Sequence, residues 1–95
     1  KPLLVGILNG AIIFLADLIR ELKIPVEIDF IKVRSYAGTN STGTVEVKLD
    51  VEGDIRDKDV IIVEDIIDTG VTMDFLLKML KARKPRSLVV CALLD

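Results

Sequence analysis

The sequence predicts an α/β domain with a mainly parallel sheet flanked by helices, and three observations carry that expectation. Short aliphatic runs recur at residues 3–8, 60–63 and 87–94, segments of helical periodicity follow the first two, and between the helical segments two strand-like segments are joined by a small polar loop. In sheets of this kind ligands bind where strands end and helices begin.

The elements follow in order. Residues 3–8, LLVGIL, form a buried strand closed by the turn pair Asn9-Gly10. From residue 11 to 22 the period changes: Ile12, Leu15, Ala16, Ile19 and Leu22 recur at helical spacing, with Asp17, Arg20 and Glu21 on the other face. Pro25 marks the end of that region. Residues 26–36 alternate, with Val26, Ile28 and Phe30 opposite Glu27 and Asp29, until the pattern slides at Ile31-Lys32-Val33. AGTNSTG, residues 37–43, is small and polar, and the alternating TVEVKLDVE follows it; the expectation is two strands joined by a mobile loop.

A second turn region, GDIRDKD, leads into the aliphatic residues 60–63. Past an acidic stretch, Met73, Leu76, Leu77 and Leu80 mark a second amphipathic helix ending near Lys84-Pro85. Basic residues toward its end complement the helix dipole. Residues 87–94 are expected to be the last buried strand.

At 95 residues the chain is one domain, and a chain of this size buries only about 60–65% of its unfolded surface. Yet 51% of the residues are hydrophobic and the mean hydropathy is +0.48. That excess predicts a partner subunit or further chain over part of the surface. Lys1 leads straight into a strand pattern and SLVVCALLD ends at Asp95, so residues 1–95 read as a core domain incomplete at both ends. A net charge of −2 gives no reason to expect nucleic acid or an acidic membrane surface as a partner. Asn9, Asp17 and Arg20 interrupt the longest apolar stretch, so no membrane span is expected. Cys91, the single cysteine, reads as a buried structural thiol, and a cytoplasmic location is the default.

The informative stretch is VIIVEDIIDTGVTM, residues 60–73, which sets three carboxylates beside a Thr-Gly-x-Thr turn at the end of a strand. Asp68, Thr69, Gly70, Val71 and Thr72 open a helix, where unpaired backbone N–H groups at the positive end of the dipole favour an anion. Gly70 permits close approach of a phosphate and the two threonine hydroxyls add donors. The plainer account is that Asp68 or Thr69 is only an N-cap, worth about 1 kcal/mol. Glu64 and Asp65 would repel a phosphate unless they hold something else. Vicinal hydroxyls or a divalent cation would serve. A phosphate cradle beside a diol-binding acidic pair describes a ribose 5-phosphate, whereas a solvated acidic loop accounts for each acid separately and not for the combination.

That stretch resembles the phosphoribosyl pyrophosphate motif of the type I phosphoribosyltransferases, and VEDIIDTG resembles the hypoxanthine-guanine branch in particular. LLVGILNGAIIFLADLIREL is similar to that branch's first strand, pyrophosphate loop and helix; Ser35-Tyr36 with its polar loop and SLVVCALLD, the strand toward the purine pocket, extend the likeness over nearly the whole chain. The resemblance implies a type I phosphoribosyltransferase core lacking the hood. It implies that Glu64 and Asp65 bind the ribose 2- and 3-hydroxyls with Mg²⁺ nearby, and that Asp68 is the general base at the purine N7. Asp68 to Thr72 would cradle the 5-phosphate, Leu8, Asn9 and Gly10 would form the pyrophosphate loop, and Ser35 and Tyr36 would close over the site from a mobile loop. Mg²⁺, phosphoribosyl pyrophosphate and a purine base are the implied cofactor and partners, in a homodimer or homotetramer.

Three departures stand out. Many members of the branch carry Lys where this chain has Asn9, a neutral group that cannot offset pyrophosphate charge. Val71 replaces a basic residue common in the phosphate turn. The family's purine-contacting lysine and hood would lie beyond Asp95. Beside purine salvage, two other readings remain on the sequence: a regulatory protein on the same fold that senses phosphoribosyl pyrophosphate and binds nucleic acid, with Lys78, Lys81, Arg83, Lys84 and Arg86 its candidate surface, and a non-catalytic fragment that pairs through exposed apolar faces.

Overall fold

A computed structural model of the chain describes residues 1–8, 11–36, 44–64 and 70–92. The elements run β1 (Leu3–Leu8), α1 (Ala11–Glu21), β2 (Glu27–Tyr36), β3 (Thr44–Leu49), β4 (Asp59–Glu64), α2 (Gly70–Lys81) and β5 (Ser87–Ala92). This is the element order expected from sequence. The five strands form a sheet in the order β3-β2-β1-β4-β5; β1 is parallel to β2 and β4, β4 is parallel to β5, and β2–β3 is antiparallel.

Strands covered on both faces read as unbroken apolar runs, and β1 and β4 do so because a helix lies on each side. Leu4 and Val63 face α1, where Leu15 is buried with Phe14 and Leu18 packed around it. Leu3, Val5, Val60 and Ile62 alternate to the other face and meet Met73, Leu76 and Leu80 of α2. Gly6 lets α1 sit close: a Cβ there would lie 3.0 Å from Leu15 Cδ2 and 3.2 Å from Phe30 Cδ1.

Four expectations are corrected. Along α1 the buried face is carried by Ala11 and Leu15, with Phe14, Leu18, Ile19 and Leu22 beside them, whereas Ile12 is 51% exposed and Ala16 is also exposed. The face is rotated by about 60° from the one read off the sequence, because Phe14 and Leu18 outweigh Ile12 and Ala16 in apolar area. β5 is an edge strand and not a buried one: Leu88 and Val90 pack toward α2, but Val89 on the opposite face is 53% exposed. Cys91, on this edge strand, is only half-buried. Ile55, within a stretch that reads as a polar turn, is 1% exposed and joins the α2 core. A single apolar residue anchors that turn.

The slide at Ile31-Lys32-Val33 is also explained. Ile31 is fully buried against the α2 side while Phe30 packs toward α1, so the strand is covered on both faces at that point, and the β2–β3 register shifts between Lys32 and Val33.

At the amino-terminal edge of the parallel strands the β3–β4 connection is tied to the α2–β5 turn. Arg83 donates to both carboxylate oxygens of Asp50, at 3.0 and 2.6 Å, and Arg86 donates to both oxygens of Asp59. The Ser87 hydroxyl adds a bond of 2.7 Å to Asp59, and the Arg86 N–H donates to the Lys58 carbonyl at 2.8 Å. Two of the five cations in the basic cluster are thus engaged by carboxylates of the same chain.

These bonds have a pH consequence. The Arg86 guanidinium, aided by the Ser87 hydroxyl, holds the Asp59 carboxyl down to about 2, and Arg83 holds Asp50 below the usual carboxylate range. Both folded values lie below the unfolded ones, so the stabilisation is complete at neutral pH, fades as pH falls through the ordinary carboxylate range, and is gone below the folded values. An NMR titration of Asp59 is expected to show a midpoint near 2, moving up toward the unperturbed value of about 4 in Arg86→Ala. An unmoved midpoint would contradict the pairing.

Candidate functional site at the carboxyl edge

β1, β2, β4 and β5 all run toward one edge, and among the described residues Leu8, Glu64 and the first turn of α2 lie there. Leu8 ends β1 and pairs with Lys32, Glu64 ends β4 and pairs with Ala92, and Gly70 begins α2. The chain leaves β1 through α1 toward β2 on one face and leaves β4 through α2 toward β5 on the other. Connections that depart in opposite directions from adjacent strands leave a crevice above β1 and β4, the topological switch point at which open α/β sheets bind ligands.

Glu64 is half-buried at the rim of that crevice and is engaged with a neighbour in the chain. Gly70, Val71 and Thr72 form the first turn of α2, so their backbone N–H groups are among those an α-helix leaves without internal acceptors. The helix therefore starts within the stretch expected to open it. Ser35 and Tyr36 differ from expectation: they are the last two residues of β2, paired with Val45 and Thr44 of β3, and not part of a loop. Strand pairing carries β2 past the end of β1 because β3 continues to bond it there. Asn9, Gly10, Asp65, Asp68 and Thr69 lie outside the described residues.

The donor set suits a hard cation. Mg²⁺ is held by one or two carboxylates together with substrate phosphates and retained waters, and Glu64 at the rim with Asp65 next in sequence offers such oxygens.

The profile of the phosphoribosyl transferase domain family matches residues 1–95. The chain is 48% identical to the hypoxanthine phosphoribosyltransferase of Salmonella typhimurium over 96 residues, which cover 100% of this chain and 54% of the relative. It is 46% identical to the hypoxanthine-guanine phosphoribosyltransferase of Mycobacterium avium, over 97% of this chain and 46% of the relative. Among solved structures, a ternary substrates complex of the hypoxanthine phosphoribosyltransferase from Trypanosoma cruzi superposes with a TM-score of 0.89 at 42% identity, covering 100% of this chain and 54% of that one. The chain spans about half the length of the curated relatives it matches.

Proposed function

The chain belongs to the phosphoribosyl transferase domain family, and on that premise we propose that it forms the core of a purine salvage enzyme. The reaction transfers the 5-phosphoribosyl group from phosphoribosyl pyrophosphate to N9 of hypoxanthine or guanine. The observation that carries this reading is identity of 46–48% to hypoxanthine and hypoxanthine-guanine phosphoribosyltransferases over almost the entire chain.

In this reading the first turn of α2, with Asp68 and Thr69 before it, takes the 5-phosphate on backbone N–H groups. Glu64 and Asp65 accept hydrogen bonds from the ribose 2- and 3-hydroxyls, which sets the anomeric carbon over the crevice. The bond from that carbon to the pyrophosphate oxygen breaks as the bond to purine N9 forms on the opposite side, with inversion. Asp68 receives the proton leaving the purine at N7. Glu64 and Asp65 would hold Mg²⁺, which would supply charge compensation for pyrophosphate. Ser35 and Tyr36, at the far end of β2, border the site and help exclude the water that would otherwise capture the ribosyl centre. Exposed Ile12, Ile13 and Val89 support an assembled form, a homodimer or homotetramer, in which these side chains are covered.

The test is a transfer assay on the whole gene product with hypoxanthine, guanine and adenine as acceptors. The nucleoside 5-monophosphate and one equivalent of pyrophosphate are expected from hypoxanthine, guanine or both. Product from adenine alone, or from none, contradicts the proposal.

A further inference from the structure

The C-terminal end of α2 carries more directional bonds than closing a helix needs. It ends in a tightened turn, in which the Arg83 N–H donates to the Leu80 carbonyl and the Lys84 N–H to the Lys81 carbonyl, both at 3.0 Å. Arg83 is thereby an extension of the helix, and its guanidinium forks onto both oxygens of Asp50 at 3.0 and 2.6 Å. Asp50 is itself oriented, since one of those oxygens accepts the Val51 N–H at 2.7 Å. Beside this pair the Asp57 N–H donates to the Lys84 carbonyl at 3.1 Å. Both residues of that bond have left-handed backbone angles, φ of 62° for Asp57 and 59° for Lys84. Residues other than glycine adopt that region at a cost, and keep it where the surroundings enforce it.

The segment that receives the end of α2 is anchored in turn. Asp29 of β2 accepts the Glu52 N–H at 2.9 Å, Lys58 donates to Glu27 of β2 at 3.0 Å, and Val51 and Ile55 lie in the apolar cluster under the helix. Through residues 50–58 the end of α2 is thus tied to the start of β2.

These bonds bear on the opposite end of the helix. Along its length α2 meets the sheet through Met73, Leu76 and Leu80, and apolar contact is non-directional, so it fixes the face of the helix better than its position along the axis. An ion-pair fork and a main-chain bond are directional and set that position. A helix of 12 residues is about 18 Å long and stiff along its axis, so a shift at Lys81 arrives at Gly70 nearly undiminished. The N–H groups of the first turn must meet a phosphate oxygen at about 2.9 Å, and a misplacement of about 1 Å forfeits such a bond.

We propose that Arg83 is a positioning residue for the phosphate end of the ligand: its fork onto Asp50 sets α2 along its axis, and so sets the helix N-terminus at the crevice one helix length away. The assignment rests on the phosphoribosyl reading above.

The experiment titrates the whole gene product with ribose 5-phosphate by calorimetry, well below Tm, and repeats the titration on Arg83→Gln, Asp50→Asn and the double variant. Each single variant is expected to raise Kd about tenfold at unchanged stoichiometry, as for one weakened charge-assisted hydrogen bond. The double variant, whose net charge equals that of the wild type, is expected to lose no more than either single one, because all three remove the same pair. Arg83→Lys keeps the charge without the fork and is expected to lose part of the affinity; it carries the test where Arg83→Gln folds poorly. Lys78→Met, which removes an exposed cation from the same helix, is expected to bind as the wild type does.

Wild-type affinity in Arg83→Gln and Asp50→Asn overturns the positioning role and leaves the phosphoribosyl reading standing. A lower stoichiometry at unchanged Kd overturns it too, since Arg83 would then only keep the chain folded. Full affinity in the double variant, or an equal loss in Lys78→Met, assigns the effect to long-range charge and likewise overturns it. A wild type that does not bind ribose 5-phosphate contradicts the phosphoribosyl reading, and the positioning role falls with it.

Discussion

Asp68→Asn is expected to lower turnover by about a hundredfold or more while phosphoribosyl pyrophosphate affinity stays within a few-fold. The substitution is nearly isosteric and keeps a hydrogen-bonding group beside the purine, but an amide does not accept the proton that must leave N7 when N9 becomes bonded to ribose. The ligand's hold on the site comes from other groups in this account: backbone N–H donors of the first turn of α2 for the phosphate, Glu64 and Asp65 for the diol. A fall in kcat without a matching change in affinity separates a role in the chemical step from one in binding. Steady-state kinetics on the whole gene product check it, and turnover equal to wild type removes Asp68 from the base role.

The second large effect concerns the scaffold. Leu76 is fully buried on α2, packed against β1 and β4 through the larger of the two core clusters. Leu76→Ala is expected to cost about 2–5 kcal/mol, from lost transfer free energy and the cavity left behind. A domain of this size has a total stability toward the lower end of about 5–15 kcal/mol, so that loss is a large share of the whole. Thermal denaturation followed by circular dichroism should show a fall in Tm of more than about 8 °C. The functional consequence is direct, since α2 presents its N-terminus to the crevice only while this face is seated on the sheet. A loss below about 1 kcal/mol would contradict the assignment of this cluster as the main core.

Much of the architecture was legible because its signals are local. β1 and β4 announce themselves as aliphatic runs, which is how strands look when both faces are covered, and each run is followed by helical periodicity. What was not legible depends on pairing across distance. That β4 lies beside β1 and not beside β3, and that the crevice therefore opens above β1 and β4, is a property of the strand order. The Arg86–Asp59 and Arg83–Asp50 pairs join residues 27 and 33 positions apart, so no window of sequence suggests them. The exposure of Val89 follows from β5 lying at the sheet edge, beyond the reach of α1.

The candidate site divides the same way. Glu64, Asp65 and the turn through Thr72 are contiguous in sequence, and their chemistry could be argued from residue type and spacing. The alternation of residues 26–36 already runs through Ser35 and Tyr36, the family resemblance implied a mobile loop for both, and pairing with β3 keeps them in the strand.

The central claim is that the carboxyl edge of β1 and β4 holds a phosphoribosyl group through an acidic pair and a helix N-terminus. Calorimetric titration with phosphoribosyl pyrophosphate and Mg²⁺, run on the wild-type chain and on Asp65→Ala, tests it most directly. The account predicts binding by the wild type that Asp65→Ala abolishes, with Tm unchanged by the substitution. Equal affinity in the two proteins, or no binding by a folded wild-type chain, would contradict it.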